Sequence, residues 1–205
     1  MTEYFYPQRM ARIILLAMEE VLGREGAHSV LNSSSVASYA HDDPAAPSEM
    51  AFSFKHVAQL MESLEQTYGV QGGRGAAFRI GRACFQYGLR EYGSMLGITE
   101  MAFRLLPLRT KLQIGAKSFA DLFNKHTDQR VRVEEQDGKL FWHIERCPLC
   151  WERKTSDAVC QLATGLLQES LYWVSGGKIF DVEETACVAR GDFACTFLID
   201  QNPIS

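Results

Sequence analysis

As far as Asp128 the apolar residues recur at helical spacing; beyond it they alternate, which separates a helical part of the chain from a sheet-forming part. Over residues 7–23, Met10, Ile13, Ile14, Ala17, Met18, Val21 and Leu22 make one stripe, with Gln8, Arg12, Glu19 and Glu20 outside it. Pro7 suits the first turn of that helix and Gly23 its end. The stripe is wide for a helix docking on a single surface, so a second copy of the chain is expected to cover the remainder, giving a homodimer. Residues 53–68 predict another helix with Val57, Leu60, Met61 and Leu64 inward. Gly72-Gly73-Arg74-Gly75 predicts a break before a further helix over 76–95. Helical character then continues over 101–106 and 108–124, divided by Pro107.

From Gln129 the pattern is that of strands. Arg130-Val131-Arg132-Val133-Glu134 alternates, Asp137-Gly138 signals a hairpin, and Leu140-Phe141-Trp142-His143-Ile144 reads as its second arm. Trp142 and His143 are neighbours on a strand and therefore face opposite sides of the sheet. A helix is expected over 157–173, with Asp157 as its cap and Gly176-Gly177 as its stop. Two strands, roughly 179–189 and 193–200, close the chain. Helices, hairpin, helix, hairpin imply an α+β fold: an antiparallel four-stranded sheet packed against helices, with an N-terminal helical extension. Residues 41–48 (HDDPAAPS) read as a linker. The expected division is therefore 1–48, N-terminal helix and linker, and 49–205, a ligand-binding domain.

Composition narrows the partners. A formal net charge of −4 gives no electrostatic reason to expect nucleic acid. No apolar run approaches the length of a membrane span. The acidic, aromatic start is not a secretory signal, so a cytoplasmic location is expected. In a reducing compartment, six cysteines point to metal binding or core packing rather than to disulfides.

The cysteine spacing carries most of the chemistry. Glu184-x-x-Cys187 sits on a strand, and Arg190-Gly191-Asp192 is a tight-turn sequence that would fold Cys195 back beside Cys187. Cys160, at the start of a helical pattern, can supply another thiolate. Three thiolates and a carboxylate suit a structural Zn²⁺ site. Cys147-x-x-Cys150 is a second metal-like pair, so the candidates exceed the four ligands such a site takes. Cys147 and Cys150 stand as alternative ligands. The competing reading, that these cysteines are small buried hydrophobes, is weaker because so many converge on one sheet. Cys84 lies in a helical pattern without a partner and is expected to be packing. Gly73-x-Gly75 is rejected as a dinucleotide loop, since Phe78 takes the third glycine's place and no βαβ unit surrounds it.

In combination these residues resemble the 4-vinyl reductase domain family over roughly residues 71–200. The resemblance rests on Gly75-x-x-Phe78-Arg79-x-Gly81-Arg82, Cys160, Glu184-x-x-Cys187 and Gly191-Asp192-x-x-Cys195-x-Phe197. It implies a fold shared with the sensor domains of phenol-responsive activators and with TRAPP transport-particle subunits. It also implies structural zinc on Cys160, Glu184, Cys187 and Cys195, and a small hydrophobic ligand. Cys147 and Cys150 depart from the activator pattern, and a thiolate from that pair could replace Glu184.

No nucleophile–base–acid constellation is apparent, which favours binding over catalysis. The leading expectation is a zinc-stabilised binding or sensing domain for an aromatic, tetrapyrrole or lipid-like molecule, signalling through a separate partner. The alternatives are an accessory factor or reductase in (bacterio)chlorophyll vinyl-group reduction and a non-catalytic dimeric scaffold. A ligand-binding domain predicts an apolar cavity of about 300–1,000 Å³ between helices and sheet. Trp142 and Tyr172 are the residues expected to line it, each having a large apolar surface and one polar atom.

Overall fold

The computed structural model describes residues 2–34, 36, 48–96 and 101–204, with side chains omitted at 101 and 102. The linker expected at 41–48 lies, apart from Ser48, outside the described residues. Strand β1 (Phe5–Pro7) pairs antiparallel with β2 (Met50–Ser53), and each leads directly into a long helix, α1 (Gln8–Ser33) and α2 (Phe54–Leu96). Short α3 (Met101–Arg104) and α4 (Leu108–His126) follow, on either side of Pro107. The main sheet comprises β3 (Val131–Gln136), β4 (Lys139–Ile144), β5 (Val182–Ala186) and β6 (Cys195–Asp200), with α5 (Gln161–Ser175) between its two hairpins. Its order is β3-β4-β6-β5, antiparallel throughout. This is the α+β arrangement that the alternation and helical stripes predict.

Two glycines shape the long helices. Each helix is kinked where one residue leaves helical geometry: Gly23 in α1 (φ 72°) and Gly69 in α2 (φ 73°). Such positive φ is strained for residues bearing a Cβ. The first helix thus bends at Gly23 and continues to Ser33 instead of ending there. The break expected at 72–75 lies instead at Gly69. Gly73 is helical, and its role is steric: an added Cβ would sit 2.5 Å from the Glu65 backbone nitrogen. The two arms of α2 come together there.

The stripe on α1 is buried within this chain, with Met10, Ile13, Ile14, Ala17 and Met18 all in the core. On the sheet, Leu140, Trp142 and Ile144 of β4 share the helix-facing side with Cys195, Phe197 and Ile199 of β6, all nearly inaccessible. Trp142 stands opposite Phe197, and Ile144 opposite Cys195. His143 faces the other side, against Thr196, with its Nδ1 3.0 Å from the hydroxyl. The β3–β4 turn has positive φ at both Asp137 (53°) and Gly138 (76°), the signature of a type I′ hairpin. Helix α5 crosses α2 at very short range and is tied to it by Glu169, which accepts from Arg82 at 2.7 Å and Gln86 at 2.8 Å. Among the described residues no helix is long and apolar enough to cross a membrane.

Candidate metal centre and apolar cavity

Five cysteine sulfurs converge at one end of the main sheet. Cys147 follows β4, Cys150 closes a 3-10 turn over Pro148–Cys150, and Cys160 is the N-cap of α5. Cys187 follows β5 and Cys195 opens β6. All five are buried and none is in a disulfide. The Sγ–Sγ distances are 3.6 Å for Cys147–Cys160, 3.4 Å for Cys150–Cys195 and 3.7 Å for Cys160–Cys195. Cys187 is 3.9 Å from both Cys160 and Cys195. A tetrahedral zinc with Zn–S near 2.3 Å needs sulfurs about 3.8 Å apart. The thiols therefore already lie close to the edges of a coordination tetrahedron, too tightly for inorganic sulfide to fit among them.

Local structure explains the convergence. Pro148 and Leu149 turn the chain after β4 so that Cys147 and Cys150 face one point, and antiparallel pairing puts Cys195 opposite Ile144. Gly191 (φ 99°) makes the turn between β5 and β6, and the Asp192 carboxylate accepts from the Cys187 N–H at 2.8 Å. The Val188 N–H donates to Cys195 Sγ at 3.3 Å, a contact that stabilises negative sulfur. Glu184 points inward, and its Oε2 accepts from the Cys160 N–H at 2.8 Å. This bond occupies one of the unpaired donors at the start of α5. The helix therefore begins at Gln161, four residues beyond the expected Asp157. Its positive end lies beside the thiols and favours their ionisation.

Two groups of four have ligand atoms within 4.8 Å of one another: Cys147, Cys150, Cys160, Cys195, and Cys160, Glu184, Cys187, Cys195. The structure thus brings together the four ligands predicted from sequence and both alternatives. Without a cation, these groups do not all ionise together. Burial pushes the Cys147 thiol up to about 11 and also raises Cys160. Hydrogen bonds from neighbouring thiols, that of Cys147 foremost, hold Cys150 well below the usual range. Burial and then the charge of Cys187 push Glu184 up to about 8. Ionising all of these groups together requires positive charge in their midst, which a metal ion supplies.

Beside this cluster lies an apolar cavity of about 90 Å³, adjoined by one of about 20 Å³. This is smaller than the range expected from the sequence, because Phe85, Phe119 and Trp142 fill the space between helices and sheet. Trp142 lines both cavities. Tyr172, by contrast, lies near the end of α5, 42% exposed, and is not in either lining. Tyr6, Met10, Gly88 and Tyr92, which no sequence motif singles out as pocket residues, also line the larger cavity. Cys84, read from the sequence as packing, is buried in the same wall. Tyr6 donates from its hydroxyl to Gln129, which satisfies both polar groups on an otherwise apolar wall. The same wall includes Ile144, Pro148, Leu149, Leu162 and Ala163, which flank Cys147, Cys150 and Cys160 in the chain.

No protein-family model matches the chain, and no curated protein matches its sequence. Solved structures do match its fold. An Fe(II) unliganded H-NOX protein from K. algicida superposes with a TM-score of 0.60 at 15% identity, covering 96% of each chain. An H-NOX protein from S. oneidensis in the Fe(II)NO ligation state gives 0.60 at 11% identity, covering 94% of this chain and 98% of that one. A further structure, concerned with modulating haem redox potential through protein-induced porphyrin distortion, gives 0.60 at 11% identity, covering 95% of this chain and 99% of that one. These matches overturn the resemblance to the 4-vinyl reductase family and its relatives, since the fold along almost the whole chain is that of H-NOX domains. The motifs behind that resemblance describe a thiol site at a sheet end. Such a site is a local chemical pattern and does not identify the helical half of the fold.

Proposed function

We propose that this chain is a metal-stabilised domain that binds a small apolar molecule between its helices and sheet. The supporting observation is the shared wall: residues flanking Cys147, Cys150 and Cys160 form one side of the apolar cavity. Zinc is the proposed ion, held by the thiolates of Cys147, Cys150, Cys160 and Cys195 in a closed structural site. By tying the Cys147–Cys150 turn to α5 and β6, the ion sets the position of that wall. Ligand occupancy and the metal-bearing hairpin are then mechanically linked, which suits a sensor.

The likeness to H-NOX domains supports a ligand-binding fold, but the residues here do not fit haem. Haem iron is held by axial His, Cys, Met or Tyr ligands; among the described residues no histidine lines the cavity, and its members of the other types are Tyr6, Met10, Cys84 and Tyr92. The Tyr6 hydroxyl is already bonded to Gln129, and the size of the space decides against a macrocycle. At about 90 Å³ the space is nearer the ~150 Å³ cavity that accepts benzene than a macrocycle site. The ligand class is therefore a single-ring aromatic or a short alkyl compound. Titration with toluene, followed by tryptophan emission, tests this reading. Saturable binding that is lost when the metal is chelated supports it; no saturable response in metal-loaded protein counts against it.

A further inference from the structure

The two groups of four ligands are not rivals in space: they share Cys160 and Cys195. We infer that the cluster is a two-metal site in which the Cys160 and Cys195 thiolates bridge a pair of divalent ions. This rests on the thiolate metal site proposed above and extends it. Cys147 and Cys150 complete the first ion's shell, and Glu184 and Cys187 complete the second. The shared edge, Cys160–Cys195, measures 3.7 Å. The outer edges are 3.6 and 3.4 Å on one side and 3.9 and 3.9 Å on the other. All lie near the roughly 3.8 Å edge of a zinc–thiolate tetrahedron. These five distances, with every atom of each group within 4.8 Å of the others, are compatible with two tetrahedra that share the Cys160–Cys195 edge.

Donor count and hydrogen bonding point the same way. A single ion on Cys147, Cys150, Cys160 and Cys195 leaves Cys187 and Glu184 over, both inside the protein. Glu184 uses Oε2 to accept from Cys160, but its Oε1 is buried with no hydrogen-bond partner. An orphaned buried carboxylate oxygen is costly. A cation within reach satisfies it, and carboxylate oxygen is an ordinary zinc ligand at about 2.0–2.2 Å. Two divalent ions give all six side chains, five cysteines and one glutamate, a metal partner, whereas one ion leaves two of them without. The sequence supports the second ion's ligands with their own device: the Arg190-Gly191-Asp192 turn, where Asp192 holds the Cys187 N–H and Arg190 holds Asp192.

The experiment is anaerobic titration of the reduced, metal-free full chain with Co²⁺, read by thiolate-to-cobalt charge-transfer absorbance, with elemental analysis of the zinc form. Two equivalents per chain are expected. Glu184→Gln and Cys187→Ser should each lower the stoichiometry from two to one while the first ion stays bound. Wild-type saturation at one equivalent overturns the two-metal site but leaves the single structural zinc standing. No bound metal overturns both. Two equivalents retained in both Glu184→Gln and Cys187→Ser refute the ligand assignment. Because Glu184→Gln is nearly isosteric, it tests the second ion's ligands even if the cysteine variant fails to fold.

Discussion

Gly81 and Gly165 meet where α2 crosses α5, each with backbone from the other helix at the place a side chain would occupy. A Cβ on Gly81 would lie 2.0 Å from the Leu162 carbonyl oxygen, and one on Gly165 would lie 2.0 Å from that of Phe78. No shift of a side chain relieves such a clash; the helices must separate. Separation would carry Cys160, at the head of α5, away from the other thiols. Gly81→Ala and Gly165→Ala are therefore each expected to destabilise the fold by about 3 kcal/mol or more, at or above the upper range for overpacking. Gly75→Ala is the contrast: its Cβ would meet only Arg79, at 3.9 Å. There, loss of a helix-interior glycine should stabilise by roughly 0.5–1 kcal/mol. Urea denaturation of the three variants checks both signs.

The proposed site divides the thiols into those that would hold metal and one that would not. Cys195 belongs to both groups of ligands, whereas Cys84 lies in the cavity wall, away from them. Cys195→Ser should lose all bound metal and melt at lower temperature. Cys84→Ser should keep its full metal content, with a stability loss of about 1–3 kcal/mol from placing a hydroxyl on an apolar wall. Elemental analysis and thermal unfolding, run on the same preparations, separate the two effects.

Gly88 gives a way to close the cavity without disturbing the metal. It lines the space, and nothing lies within 4 Å of where its Cβ would be. Gly88→Leu should fill the cavity and abolish the tryptophan-emission response to toluene, while metal content and fold are retained. Unchanged toluene binding in this variant would place the binding site elsewhere.

Much of this architecture was legible in the chain. The change of period at Gln129 separated helices from sheet, Asp137-Gly138 marked its hairpin, and the spacing of Glu184, Cys187 and Cys195 with Cys160 and the Cys147–Cys150 pair marked a thiol cluster. Other features depend on tertiary contacts that periodicity does not carry. Gly69 and Gly73 look alike in sequence, yet one bends the helix and the other admits a neighbouring backbone. Asp157 has the right chemistry for a cap, but Glu184, distant in sequence, takes that role for a helix starting later. Tyr172 has the composition of a pocket residue and lies at the surface, because it falls on the outer face of α5, between buried Leu171 and Ser175. The likeness to H-NOX domains, at 11–15% identity for the K. algicida and S. oneidensis proteins, lies in the path of the backbone, which short cysteine motifs do not report.

A metal ion on these thiolates is proposed to stabilise the domain. Structural zinc supplies on the order of 10 kcal/mol of apparent binding energy in small domains, and a core of this size should depend on it less. The direct test is zinc analysis of the purified chain together with its thermal unfolding before and after chelation under reducing conditions. At least one zinc per chain, a clear fall in melting temperature on its removal, and recovery when zinc is restored are expected. A zinc-free chain whose melting temperature is the same with and without added zinc would contradict the proposal.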